Sequence, residues 1–244
     1  MTRRSIAHRL VNAGGEAAVV LSLYLMYSAA RVFVQGGETS AVEHSFALVS
    51  FERTIGLFHE VSLQRLVDRA PWFADTMNWY YQWAYLPILI GSAAIMYARD
   101  RALYRRYRNA LFASAAIGVL IFAMLPVAPP RMLPEYGFVD AIGKNVTRSA
   151  LRNEFAAVPS FHVGFTLLAG MGVAHAFRFR PWALTFGVLA PTLMLVSVVA
   201  TGNHFFIDVI AGCAVVGSMW TVWVRWLPSR APAPLLRPAA SPSR

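Results

Sequence analysis

Residues 153 to 170 read NEFAAVPSFHVGFTLLAG, with Pro159 and Ser160 set just before His162, at the mouth of a run that stays apolar to Phe177. A run of this kind belongs either to a buried core helix or to a membrane span, and its surroundings decide which. The chain of 244 residues is 57% hydrophobic and only 14% charged, with a mean hydropathy of +0.48. That is the composition of a membrane protein. Six stretches approach the length needed to cross a hydrocarbon core of ~30 Å: 16–34, 77–98, 110–128, 161–177, 182–200 and 205–227. The expected fold class is an all-α integral-membrane bundle of six transmembrane helices. One domain is expected over 1–227, followed by a Pro-, Ala- and Ser-rich cytoplasmic tail at 228–244 with the composition of a disordered segment.

The first stretch follows Arg3, Arg4 and Arg9 and shares features with a signal peptide. Read as a retained anchor with the N-terminus inside, it gives the cytoplasmic segments 14 of the 22 bases and only two of the 12 acids, Glu16 and Asp100. That asymmetry satisfies the positive-inside rule for an N-in, C-in multi-pass protein of the cell membrane. The net charge of +10 follows from the same asymmetry and from attraction to anionic lipid, so it does not require a nucleic-acid partner. The single cysteine, Cys213, excludes an intrachain disulfide and a cysteine metal site.

Two outer segments are long. Residues 35–76 carry apolar positions at helical spacing among charges, which predicts amphipathic helices between the first and second spans, lying in the interface or packed on the bundle as a lid. His44 and His59 on this segment read as solvated. Residues 126–160 are rich in proline, glycine and bases and deliver the chain to His162.

The topology places Arg131, then Ser160 and His162, then TGNHFFID (residues 201–208) on one outer face. His204 and Asp208 are spaced i, i+4 and share a helix face. The carboxylate can hold one imidazole nitrogen and leave the other nitrogen's lone pair free to attack, or the pair can be a buried structural contact. His162 opens a helix whose free N–H groups and dipole favour an anion. The Arg131 guanidinium suits phosphate oxygens, whereas Lys144, Arg148 and Arg152 read singly as solvated loop charges. Together these residues describe phosphoryl transfer without a metal or other cofactor. A small transporter with a His–Asp proton relay is the rival from another class; it needs members near the midplane, and His175, the one candidate, reads as a packing residue.

PSFH at 159–162 resembles the Pro-Ser-Gly-His of the second motif of the type 2 phosphatidic acid phosphatase (PAP2) superfamily, and HFFID at 204–208 resembles the His-x-x-x-Asp of its third. FAAVPSFH and TGNHFFID are most similar to the branch that contains inositol phosphorylceramide synthases and bacterial PAP2-like proteins, over roughly residues 40–227. The resemblance implies six membrane helices and a metal-independent phosphohistidine mechanism. It makes His204 the nucleophile, Asp208 its orienting partner, His162 the general acid, Ser160 a phosphate ligand and Arg131 the residue nearest the first motif. Two customary cations are missing: Met124 stands where the first motif has lysine, and Val198 where the third has arginine. The expected activity is that of a lipid phosphate phosphatase or phosphotransferase at the extracytoplasmic face. Its substrate would be a phosphorylated lipid or polyprenyl phosphate, and the alternative is transfer of a phosphorylated head group to an acceptor lipid or sugar.

Overall fold

The computed structural model describes residues 3–140 and 153–226, with side chains from 13–140 and 153–224; Lys144, Arg148, Arg152 and the 228–244 tail lie outside the described residues. Within them the chain is helical and has no strand, only an isolated parallel bridge between Val127 and Ala156. In order, the helices are α1 (Arg3–Phe33), α2 (Glu38–Thr54), α3 (Glu60–Asp68) and α4 (Pro71–Trp79), which passes through a π-helical turn (Tyr80–Ala84) into α5 (Tyr85–Arg99). Then come α6 (Arg101–Met124), α7 (Phe161–Ala176), α8 (Pro181–Ala200) and α9 (Phe206–Thr221). The starts follow local chemistry. Pro71 and Pro181 sit in the first turns of α4 and α8, where a missing N–H costs nothing, and the Asp100 carboxylate caps α6 by accepting from the Ala102 and Leu103 N–H groups, both at 2.9 Å.

Among the described residues, four helical stretches are long and apolar enough to cross a membrane: Ala13–Phe33, Arg101–Met124, Pro181–Ala200 and Phe206–Val224. The other two expected spans take different forms. The 77–98 stretch is divided by the π-helical turn, and α7 has only 16 residues, about 24 Å at the usual helical rise.

Helix α7 is short but central, packed by α5, α6, α8 and α9. Glycines allow this. A Cβ on Gly170 would lie 2.7 Å from the Gly187 Cα in α8, and one on Gly164 would lie 2.9 Å from the Gly212 carbonyl oxygen in α9. Backbone-to-backbone approach of this kind is how apolar helices associate where lipid is as apolar as the side chains.

One end of the bundle is closed by α2, α3 and the segments 125–140 and 153–160. Ser45 donates to the Ala128 carbonyl at 2.9 Å, and the Val127 N–H donates to the Phe155 carbonyl at 2.9 Å. Gln64 donates to the Val139 and Ala200 carbonyls at 2.6 and 3.2 Å. The segment expected to be amphipathic is therefore tied to the bundle end by buried hydrogen bonds, while its other side exposes Phe51, Ile55 and Leu66. At the opposite end Arg99 lies over the Phe177 ring at 4.1 Å, and Arg108 pairs with Glu16.

Candidate active site

The starts of α7 and α9 meet under that cap. The Ser160 N–H donates to the Asp208 carbonyl at 2.9 Å, joining the two first turns directly. The approach is possible because residue 212 is glycine: a Cβ there would stand 2.3 Å from the Ser160 carbonyl oxygen. As a result the His162 and His204 rings face each other with centroids 6.0 Å apart.

Both histidines line a cavity of about 280 Å³. His204 is 5% exposed, and its Nδ1 lies 3.3 Å from the Asp208 Oδ2, which also accepts the Phe205 N–H at 2.8 Å. Asp208 is behind the wall and fully buried. With Nδ1–H directed to the carboxylate, Nε2 carries the lone pair. His162 is held between Tyr81 and Tyr85, ring centroids 4.8 and 4.6 Å away. These two tyrosines come from the π-helical turn and the residue that follows it, the sort of local widening common at functional sites.

Arg131 is built into the same wall by the turn between α8 and α9. Gly202 has φ +66°, which glycine adopts without cost, and its carbonyl accepts the Arg131 N–H at 2.8 Å. The Arg131 guanidinium donates to the Asn203 Oδ1, and Asn203 in turn donates to Thr201 Oγ1 at 2.7 Å. The TGNH turn thus fixes the cation beside the histidine.

Of the five residues expected from the sequence, the structure brings Arg131, His162 and His204 to one cavity and sets Asp208 behind His204. Ser160 is at the N-cap of α7 but makes no capping bond; its hydroxyl is buried without a partner and lies beneath the wall that Pro159, Phe161 and His162 form. Ser160, expected as a phosphate ligand, is thus not among the residues that line the cavity. His175, expected to be a packing residue, stacks edge-on with Phe179 and Trp220 at the far end of α7.

Several residues of the site escape sequence reasoning. Arg31 lines the cavity with Tyr24, Tyr27 and Ser28, which share one face of α1, and its Nε is buried without a partner. Glu52 and Glu60, both fully buried, reach the start of α9 from α2 and α3. Arg31 carried one signal, a permanent charge at the end of an apolar stretch.

The PAP2 superfamily model matches residues 46–223 of the chain. The chain belongs to the PAP2 superfamily. Its members are phosphatases or phosphotransferases. The match runs from α2 through α9 and includes every residue expected for the site, whereas α1, with Arg31, lies outside it. No curated protein and no solved structure matches the chain.

Proposed function

We propose that this PAP2 protein cleaves a phosphate ester or anhydride of a lipid, or of a polyprenyl phosphate, through a covalent phosphohistidine and without a metal. The observation that carries the reading is the pair of histidines across one cavity, one tied through Nδ1 to a buried carboxylate and the other between two tyrosines. His204 Nε2 attacks phosphorus and forms the N–P bond, Asp208 stabilising the charge that appears on the ring. The P–O bond to the leaving group breaks as His162 gives that oxygen its proton. Water or an alcohol then attacks phosphorus, returns a proton to His162, and frees His204.

Charge on the transferring group is met by Arg131 and by the open N-terminus of α7. Arg31 supplies a second permanent cation in place of the motif cations that Met124 and Val198 omit. A retained α1 is thereby part of the site. The protein is read as multi-pass, N-in and C-in, with the cavity extracytoplasmic. A cysteine replacing exposed Glu135 is then labelled by an impermeant reagent on intact cells, and one replacing exposed Arg105 at the other end is not; the reverse pattern overturns the orientation.

Transfer to a polyol, as in the inositol phosphorylceramide synthase branch, is favoured by Gln82 and Glu154 on the cavity wall. A carboxylate repels phosphate but accepts hydrogen bonds from hydroxyl groups. The test incubates purified protein in detergent with labelled phosphatidic acid, polyprenyl diphosphate or phosphoinositide, each with and without inositol or a lipid alcohol. Free phosphate identifies hydrolysis and a new labelled lipid or sugar identifies transfer. Transport of a solute into liposomes with no phosphate chemistry on any of these substrates overturns the reading.

A further inference from the structure

Glu52 and Glu60 have no part in the chemistry above, yet both are 0% exposed and both are aimed at the first turn of α9. Glu60 Oε1 accepts the Phe206 N–H at 2.9 Å, and Glu52 Oε1 accepts the Ile207 N–H at 2.8 Å. With Asp208 on the Phe205 N–H, the three N–H groups that open α9 are each closed by a carboxyl group. The glutamates also face each other in hydrogen-bonding contact, and each keeps a buried Oε2 that receives no donor. Two carboxylates in contact in a buried site do not both ionise. One proton held between the two Oε2 atoms satisfies both of these otherwise orphaned acceptors. Among the described residues neither glutamate has a cationic partner, and no group of three His, Cys, Asp or Glu residues is disposed to hold a metal ion.

The singly protonated pair carries one negative charge against the positive end of the α9 dipole, a favourable match. It also fixes the backbone on which the nucleophile depends. His204 precedes the helix, so no intrahelical bond holds it; its N–H goes to the Val198 carbonyl at 3.2 Å and its ring to Asp208. The direction of the ring is set by where Phe205 to Asp208 lie, and these are the residues that the carboxyl groups grip.

We propose that Glu52 and Glu60, joined by one shared proton, are positioning residues that clamp the start of α9 and so hold His204 in line for attack. The inference rests on the phosphohistidine reading. Its chemistry makes an unusual demand on substitutions. A glutamine at either position keeps the acceptor for the backbone N–H and offers an amide N–H to the remaining carboxylate in place of the shared proton. With both amide oxygens kept on the backbone N–H groups, two glutamines bring two NH2 donors face to face, and turning one amide over leaves its backbone N–H without an acceptor. Alanine removes the grip.

The experiment measures the rate of labelled phosphoenzyme formation from phosphatidic acid, and inhibition by inorganic phosphate, for full-length protein in detergent. Glu52→Ala and Glu60→Ala are expected to slow phosphoenzyme formation by about 10- to 100-fold, the order of loss produced by a misplacement near 1 Å. The phosphate inhibition constant should move less than about threefold, since α7, Arg131 and Arg31 hold the anion. Glu52→Gln or Glu60→Gln alone should restore most of the rate, and Glu52→Gln/Glu60→Gln together should lose it again. If the alanine variants fail to fold, the single and double glutamine variants decide the matter. A folded double variant as fast as the wild type overturns the inference, as do alanine variants that fold and keep their rate. A wild type that forms no phosphoenzyme with any of the substrates above overturns the function reading and this inference with it. A wild type that forms it while the clamp variants behave alike overturns the clamp alone.

Discussion

Helices α7 and α9 each open beside a histidine, and they open in opposite ways. The first turn of α7 has no acidic residue and no side-chain cap; the Ser160 hydroxyl at its N-cap is buried and unpartnered. The first turn of α9 is closed by Asp208, Glu60 and Glu52. The positive end of the α7 dipole is thus left for an anion, whereas that of α9 is used to fix backbone. On the phosphohistidine reading proposed above, the two motifs do different work: α7 would offer its charge to the phosphate, and α9 would hold the group that attacks it.

The contrast fails first if the two helix starts are pushed apart. Gly212→Val places a side chain 2.3 Å from the Ser160 carbonyl oxygen, and the expected result is a loss of turnover of more than about 100-fold. Gly217→Val, where nothing lies within 4 Å, should stay close to wild type. Equal activity of the two variants would show that close contact between the helix starts is not needed.

A smaller effect separates the histidines. His162→Ala should cost roughly 10²- to 10⁴-fold with an alkyl phosphate and markedly less with an aryl phosphate, whose departing oxygen needs little protonation. Equal losses on both would make His162 a binding or structural residue. A milder change is expected from Asn203→Ala, which releases the Arg131 guanidinium from its fixed position: KM should rise by about threefold to tenfold with kcat nearly preserved, the result for a group that binds ground and transition state alike. A fall in kcat at constant KM would instead tie Asn203 to the reacting atoms.

Smallest is the effect on stability. Burial, together with the contact to Glu60, pushes the Glu52 carboxyl up to about 9, with Asp208 and Glu60 the charged groups facing it. In the unfolded chain the same carboxyl loses its proton near the ordinary glutamate range, about 4.3. The folded state therefore binds the extra proton between those limits, and stability from this group is greatest below pH ~4.3 and declines as pH rises toward about 9. The melting temperature in detergent should fall from pH 6 to pH 9, and Glu52→Gln should flatten that slope. A slope unchanged by the substitution would show that the pair is already ionised at neutral pH.

What the sequence discloses and what it withholds follow from the range of the interactions. PSFH and HFFID carry their meaning locally: a helix start, a histidine, and a carboxylate one turn further on. Arginine asymmetry likewise places Arg131, His162 and His204 on one face before any contact is known, and the structure gathers them at one end. Glu52 and Glu60 act on backbone groups 155 and 146 residues away, and in the sequence they are two ordinary acids on an amphipathic segment. Arg31 sits at the end of an apolar run, where an interfacial anchor is the usual reading. The division of the 77–98 stretch by a π-helical turn leaves no mark in the apolar pattern either, because Tyr81 and Tyr85 fit an ordinary i, i+4 face.

The covalent step is the centre of the account, and a phosphoenzyme trap reads it directly. Protein quenched during turnover of labelled phosphatidic acid should carry label that is released by acid and retained in base, as a phosphoramidate bond requires. The label should map to the peptide containing His204, and it should be absent from His204→Ala while still forming, slowly, in His162→Ala. Label that survives in His204→Ala, or that proves stable to acid, would contradict the assignment of His204 as the nucleophile.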